Sequence, residues 1–178
     1  IVALATEIRQ RRWDPTPFVD NNCDIMWPDV IVTGYKRTKD AVNNNVRKAK
    51  GFKGDVSVGD KLRCLTNKPE QGTFNGSVFT VLDKTPSGYC ECVDDEGLTV
   101  VLAPVVTKDR PSYKDIRGKY ANFDPVDYAF AITAHSAQGS EYEKVLYIDE
   151  PCDKWDHWRH RYTGVTRAIS ELKLMGSF

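Results

Sequence analysis

Two short stretches carry residue types suited to chemistry on anions. Residues 133–141 read Thr-Ala-His-Ser-Ala-Gln-Gly-Ser-Glu, and residues 162–168 read Tyr-Thr-Gly-Val-Thr-Arg-Ala. Each lies at the end of an apolar run. A strand over Tyr128–Thr133 would deliver Thr133 and His135 to its C-terminal end, where open α/β sheets hold their ligands. Gln138-Gly139-Ser140-Glu141 then reads as the start of a short helix, where small residues and exposed N–H groups suit an anion. Arg167 stands at the end of a second predicted helix. Taken singly, these residues also fit an ordinary strand–helix corner and a cation that satisfies the last carbonyls of a helix.

The apolar spacing predicts the sheet and helices that must hold these stretches. Residues 1–12 read as an amphipathic helix with Val2, Leu4, Ala5 and Ile8 apolar and Arg9, Arg11 and Arg12 at its end; Asp14-Pro15-Thr16-Pro17 stops it. Asp29–Tyr35 is a β-branched run with the pattern of a buried strand. Thr38 is placed to cap a helix with Asp40 in its first turn, Val42, Val46 and Ala49 on one face and Gly51 at its end. The composition changes near Val56. Four runs rich in Val, Phe, Leu and Tyr, at 61–65, 78–82, 89–93 and 98–102, are separated by turn signals such as Asn75-Gly76 and Pro86-Ser87-Gly88, which predicts a small antiparallel barrel. Asp109–Asn122 reads as a loop or connector. The α/β pattern returns with strands at Tyr128–Thr133, Val145–Ile148 and Leu172–Met175, a turn into a short helix over Ser136–Tyr142, and a helix over Trp155–Ala168. A β-rich segment is thus inserted between two halves of an α/β layer.

The 178 residues are 40% hydrophobic and 28% charged, enough for a core in one good-sized domain or two small ones. With 25 basic and 25 acidic side chains the net charge is zero. That excludes a polybasic, histone-like binder, so any nucleic-acid contact must come from a local patch. Lys36, Arg37, Lys39, Arg47, Lys48, Lys50 and Lys53 form one candidate; a solvated helix face accounts for them equally well. The five cysteines (Cys23, Cys64, Cys90, Cys92, Cys152) include no C-x-x-C. Cys90 and Cys92 would share one face of a strand, which is poor disulfide geometry, and no second half of a zinc site exists. Reduced thiols of a cytoplasmic protein are the expectation. His157 and His160 read as surface residues, and no metal site is expected. No apolar run approaches the ~20 residues of a membrane span. The chain opens on Ile1 inside a predicted helix, the pattern of a segment of a longer protein.

No phosphate-cradling loop accompanies the two stretches. Such a loop reads G-x-x-x-x-G-K-[ST], with backbone N–H groups around the phosphates, a Lys on their oxygens and a hydroxyl on Mg²⁺. The nearest approach is Gly54-Asp-Val-Ser-Val-Gly59-Asp60-Lys61, where the Asp60 carboxylate would repel phosphate. Gly118-Lys119 lacks the earlier glycine. Val145-Leu-Tyr-Ile-Asp149-Glu150 looks like an acidic Walker B strand, but without a P-loop it is not one. These residues alone cannot complete a nucleotide site, so the fragment by itself is expected to be inactive.

Residues 133–141 and 162–168 together resemble motifs V and VI of the superfamily 1 helicases, in the branch that holds the RecD-like and Dda-like enzymes. The match to T-x-H-x-x-Q-G-x-E is complete, and many relatives carry Lys where this chain has Ser136. The resemblance implies that Thr133 and His135 meet the DNA backbone. It implies that Gln138 and Gly139 link the DNA and nucleotide sides, that Glu141 lies toward the nucleotide sugar, and that Arg167 is an arginine finger. Such a finger's planar guanidinium stabilises charge on the departing γ-phosphoryl group. Tyr162 and Thr166 take supporting positions, whereas Arg159 and Arg161 read as surface residues. Val30–Gly34 followed by Tyr35-Lys-Arg-Thr-Lys-Asp-Ala-Val-Asn43 is similar to the strand and helix start the family uses against DNA. Lys36, Arg37, Thr38 and Asn43 are then DNA-binding candidates. Tyr35 either stacks on a base or lies at the edge of the core. Residues 59–76, with Gly59-Asp60, Asn67 and Asn75-Gly76, resemble the entry into the SH3-like 2B insertion of that branch.

The resemblance therefore implies a RecA-like domain (2A) of the P-loop-NTPase type, without the P-loop itself, over 1–55 and 125–178. An SH3-like barrel would be inserted over 56–124. The implied function is the C-terminal motor half of an ATP-dependent DNA helicase moving 5′-to-3′ on single-stranded DNA in a bacterial or phage-infected cell. ATP and Mg²⁺ would be held mainly by an N-terminal 1A domain. Replication or recombination proteins are possible partners. Two alternatives stay open: a non-catalytic module binding single-stranded DNA or a protein, and a helicase subunit of an exonuclease V-like complex.

Overall fold

The computed structural model describes residues 1–107, 109–151 and 156–176. The chain divides into two compact units, Ile1–Val46 with Phe130–Phe178, and Arg47–Ala129. In chain order the first unit opens with helix α1 (Val2–Arg9), strand β1 (Val30–Thr33) and helix α2 (Lys36–Ala49), whose end belongs to the second unit. The second unit continues with β2 (Lys61–Cys64), β3 (Val78–Lys84), β4 (Cys90–Val93), β5 (Thr99–Leu102), β6 (Pro104–Val106), helix α3 (Tyr113–Arg117) and β7 (Asp124–Tyr128). The chain returns to the first unit with β8 (Ala131–Thr133), β9 (Tyr142–Asp149), α4 (His157–Val165) and β10 (Ala168–Gly176).

The first unit is an α/β layer built on a four-stranded sheet in the order β10-β9-β1-β8, parallel throughout. Parallel sheets are covered on both faces, so their strands read as unbroken apolar runs. Val30, Ile31, Val32 and Thr33 are all buried, as are Val145, Leu146 and Tyr147 at the centre of β9. The buried face of α1 carries Leu4, Ala5 and Ile8, and the helix packs on α4. Strand β8 lies at the edge of the sheet, and the backbone groups of its first residue, Ala131, are satisfied by one side chain. The Asn43 amide donates to the Ala131 carbonyl at 2.9 Å and accepts the Ala131 N–H at 2.8 Å. Asn43 is 1% exposed. The expectation that it meets DNA is thereby corrected: it substitutes for a missing neighbouring strand.

A buried polar network fixes α4 on β9. The Tyr147 hydroxyl donates to Asp149 Oδ1 at 3.2 Å and lies 2.7 Å from His160 Nδ1. Arg161 reaches Asp149 Oδ2 from Nε (2.9 Å) and Nη2 (2.8 Å), and its guanidinium stacks on Trp13. Gly164 is required here, since a Cβ would meet the Tyr147 ring at 2.5 Å. Arg161 and His160 were expected at the surface; instead they anchor the helix. Burial pushes the His160 imidazole below its ordinary value and the Tyr147 phenol well above its own.

The second unit holds a six-stranded sheet in the order β5-β4-β3-β2-β7-β6, antiparallel except for β6 with β7. Alternate residues point into one core: Leu62 and Cys64, Phe79 and Val81, Cys90 and Cys92, Val100 and Leu102. Burial pushes the Cys64 and Cys92 thiols up to about 12, so they stay protonated and inert near neutrality. Cys152 lies outside the described residues. Asp60 is fully buried. It pairs with Arg47 at 2.8 Å and accepts the Ser57 N–H, while the Arg47 guanidinium covers the Tyr128 ring. The Asn67 side chain accepts the Asn75 N–H at 2.7 Å and closes the loop between them.

The four strands read from the sequence in this segment are present, and other readings along the chain change. Residues 109–122 contain α3, started by a reciprocal Ser112–Asp115 capping box. Strands β6 and β7 were hidden by Pro104, Pro125 and the polar residues around them, since proline weakens any strand reading. The run 128–133 is two strand ends, with β7 finishing at Tyr128 and β8 starting at Ala131. Residues 136–140 form turns rather than a helix. The helix expected from Trp155 is described from His157, and Trp155 itself lies outside the described residues.

Replacing Asn43 with Ala should leave two backbone groups of Ala131 without partners at a buried edge. Chemical denaturation should show a loss of about 2–4 kcal/mol; a loss near zero would mean the edge is open to water. His160 is held neutral, so its stabilising contribution is complete above its ordinary value of 6.5 and is lost as pH falls toward its lower folded value. Thermal melts should therefore fall below pH 6.5 more steeply in the native chain than in His160→Gln. Parallel melting curves would remove this role.

Candidate functional site

Because β1, β8 and β9 run the same way, their C-terminal ends gather at one edge of the first unit's sheet. A cleft of about 540 Å³ opens there. It brings together four residues expected from the sequence: Lys36, Thr133, His135 and Gln138. Gly34, Ser136 and the start of α4 (Asp156, Arg159, His160 and Thr163) complete its wall. None of the α4 residues was expected to belong to a site. The spacing 156, 159, 160, 163 places them on one helix face, which was the available signal.

Residues 134–140 form the rim of this cleft as a tight turn. The Thr133 hydroxyl lies 3.1 Å from the Ser136 hydroxyl and accepts the Ser136 N–H, and the Ala137 N–H bonds back to the Thr133 carbonyl. Gly139 has φ +87°, a conformation that side chains rarely adopt. His135, Gln138 and Glu141 are exposed. The turn offers no helix N-terminus to an anion, which corrects the expected helix start at Gln138–Glu141.

The other side of the same turn grips Arg167. Its Nη1 donates to the carbonyls of Ser140 (2.8 Å) and Ala137 (3.4 Å). Nε donates to the Thr163 carbonyl at 3.0 Å and Nη2 to the Thr166 hydroxyl at 3.1 Å. Every one of these acceptors is neutral. The guanidinium thus satisfies the Thr163 carbonyl of α4 and two carbonyls of the turn, yet its positive charge meets no carboxylate among the described residues. A phosphate oxygen is a stronger acceptor for it than a carbonyl. Tyr162, in the last turn of α4, is covered by the Arg9 guanidinium 4.6 Å from its ring centroid.

The start of α2 carries a different result. The helix begins at Lys36, so Thr38 lies inside its first turn and does not cap it. The anchor is Glu150, at the end of β9. Its carboxylate accepts the N–H groups of Gly34 (2.7 Å) and Tyr35 (3.1 Å) and the hydroxyl of Thr38. The Tyr35 hydroxyl donates to the Pro151 carbonyl, and Arg37 lies over the Tyr35 ring at 4.7 Å. One face of that ring is therefore occupied. Lys39 is buried beside Asp40 and Arg47 is buried beside Asp60, so the basic run does not form a continuous surface patch. The Asp149-Glu150 pair that resembles a Walker B ending thus serves structure, one carboxylate on Arg161 and the other on the start of α2.

Among the described residues no group of three His, Cys, Asp or Glu could hold a metal ion, and no helix is long and apolar enough to cross a membrane. The Arg167 guanidinium, held by neutral acceptors, suits a phosphate oxygen.

Residues 128–175 match the UvrD-like helicase C-terminal domain. In fold, the chain is similar to Pif1 helicase from Bacteroides in complex with ADP-AlF3 and ssDNA, with a TM-score of 0.72 at 12% identity over 99% of this chain and 48% of that one. It is similar to Bacteroides Pif1 bound to ssDNA (0.67, 13%, 97% and 48%). Pif1 helicase from Candida albicans is a further likeness (0.66, 14%, 98% and 52%). The chain spans about half the length of these structures. No curated protein sequence matches it. In the sequence of residues 128–175 the chain is thus similar to a UvrD-like helicase C-terminal domain, and in its α/β fold to the Pif1 helicases.

Proposed function

We propose that this chain is the C-terminal motor domain of an ATP-dependent, superfamily 1 DNA helicase of the RecD/Dda branch, with the second unit as its SH3-like 2B insertion. In this reading it moves 5′-to-3′ on single-stranded DNA. The observation that carries the proposal is the shared turn. One side of residues 134–140 lines a cleft with Thr133, His135 and Lys36, and the other side holds Arg167. A DNA contact and a phosphate-seeking cation are therefore joined by one short piece of backbone.

In this motor, a separate RecA-like domain with a P-loop holds ATP and Mg²⁺, and the nucleotide supplies the phosphoryl group that is hydrolysed. Arg167 presents its guanidinium to that phosphate. Thr133 and His135 touch the DNA backbone, while Gln138, Gly139 and Glu141 span the turn between the two sides. Solved likenesses bound to ssDNA, one of them also with ADP-AlF3, support the assignment of both ligands.

A second reading rests on the second unit, where Phe74, Tyr89, Leu98, Val101, Tyr113 and Phe123 are each at least 45% exposed. These exposed apolar residues suit a module that binds single-stranded DNA or a protein through the second unit without hydrolysis.

With the P-loop half joined, Arg167→Ala should lower ATP turnover by about 10³-fold or more while single-stranded DNA binding survives. Unchanged turnover would contradict the finger assignment. Thr133→Ala and His135→Ala should reduce DNA stimulation more than basal hydrolysis. Equal loss of both would point to a folding defect.

A further inference from the structure

The two helices that start beside the cleft are both closed to phosphate by the chain's own carboxylates. Glu150 takes the Gly34 and Tyr35 N–H groups and the Thr38 hydroxyl at the start of α2. Asp156 accepts the Trp158 and Arg159 N–H groups at the start of α4, at 3.0 and 3.3 Å. Helix N-termini ordinarily attract anions through such amides. Here a second anion at either start would face a resident carboxylate and find its donors already engaged.

Phosphate recognition in the cleft must then come from side chains. The lining of the cleft includes two cationic side chains, Lys36 from α2 and Arg159 from α4. Both residues are exposed, and the Arg159 side chain is 89% accessible; its ion pair with Asp156, at 3.6 Å, is long and solvent-facing. Exposed pairs of that kind contribute little and give way to a better partner. The same lining holds the hydroxyl-bearing Thr133, Ser136 and Thr163 and the exposed His135.

We infer that Arg159 is a phosphate-binding residue, acting with Lys36 in the same cleft, and that the two hold backbone phosphates of a single strand while Glu150 stays in place on α2. This rests on the single-stranded DNA reading of the cleft and adds to it a residue on α4. Recognition by two side-chain cations makes no use of base edges, so the binding is indifferent to sequence and dependent on salt.

The test is fluorescence anisotropy of a labelled oligothymidylate over a series of salt concentrations, with the intact chain and with Arg159→Gln, Lys36→Gln and His135→Ala. Arg12→Gln, an exposed arginine remote from the cleft in sequence, is the charge control. Arg159→Gln and Lys36→Gln should each weaken binding severalfold and lower the slope of log K against log salt by about 0.7, the value for one cation lost from a single strand. The control should leave the slope unchanged. Amide exchange at Gly34 and Tyr35 should not accelerate when DNA is added. If Arg159→Gln leaves the slope intact while His135→Ala weakens binding, the role of Arg159 is overturned and the DNA reading of the cleft stands. Faster exchange at Gly34 and Tyr35 would mean that phosphate displaces Glu150, which overturns the inference in another way. Absence of any binding by the native chain would overturn the DNA reading and the inference together.

Discussion

The common direction of β1, β8 and β9 is the constraint on which the rest of the first unit depends. Parallel neighbours must be joined by long connections and must be covered on both faces. Both conditions are visible in β1, where four consecutive residues are buried. The consequence is geometric. Gly34, Thr133 to His135, and Asp149 with Glu150 all leave the sheet at the same edge, although they lie far apart in sequence. What happens at that edge is settled by short polar contacts. Asn43 satisfies the open side of β8, Glu150 fixes the start of α2, and the Asp149–Arg161 pair with Tyr147 and His160 fixes α4. The cleft is the space these contacts leave between them.

The turn at 134–140 ties that space to Arg167. Three of the four hydrogen bonds of Arg167 end on backbone carbonyls, and two of those carbonyls belong to the turn. A guanidinium drawn toward a phosphate exchanges neutral acceptors for charged ones and releases the turn in the same movement. In the proposed motor this links the nucleotide to the strand of DNA through contacts of about 3 Å, with no need for a long relay. The structure shows Arg167 as a cation on backbone carbonyls; in the proposed motor a phosphoryl group would take their place.

Much of this was legible in the sequence because it depends on local pattern. The apolar run at Val30–Thr33 and the alternation in β2 to β5 are periodic signals, and Thr133, His135 and Arg167 stand in short, ordered motifs. What could not be read depends on partners distant in the chain. Asn43 looks like a polar helix residue until Ala131 is placed beside it, and Glu150 looks like the end of a Walker B strand until Gly34 is placed under it. His160 and Arg161 were assigned to the surface because nothing nearby in sequence announces Tyr147 and Asp149 as their partners. The missing helix after Thr133 has a local cause instead. The Thr133 hydroxyl and Gly139 favour a closed turn, and a motif match says nothing about backbone conformation.

The central claim is that the cleft at the sheet edge, and not the sheet of the second unit, receives single-stranded DNA. Hydrogen–deuterium exchange of the chain with and without an oligothymidylate tests it most directly, because every segment reports in one experiment. The account predicts slower exchange at residues 133–140 and 157–163, with little change across residues 61–102. Protection confined to 61–102, with the 133–140 turn unchanged, would contradict it and leave a binding module that carries a motor's fold.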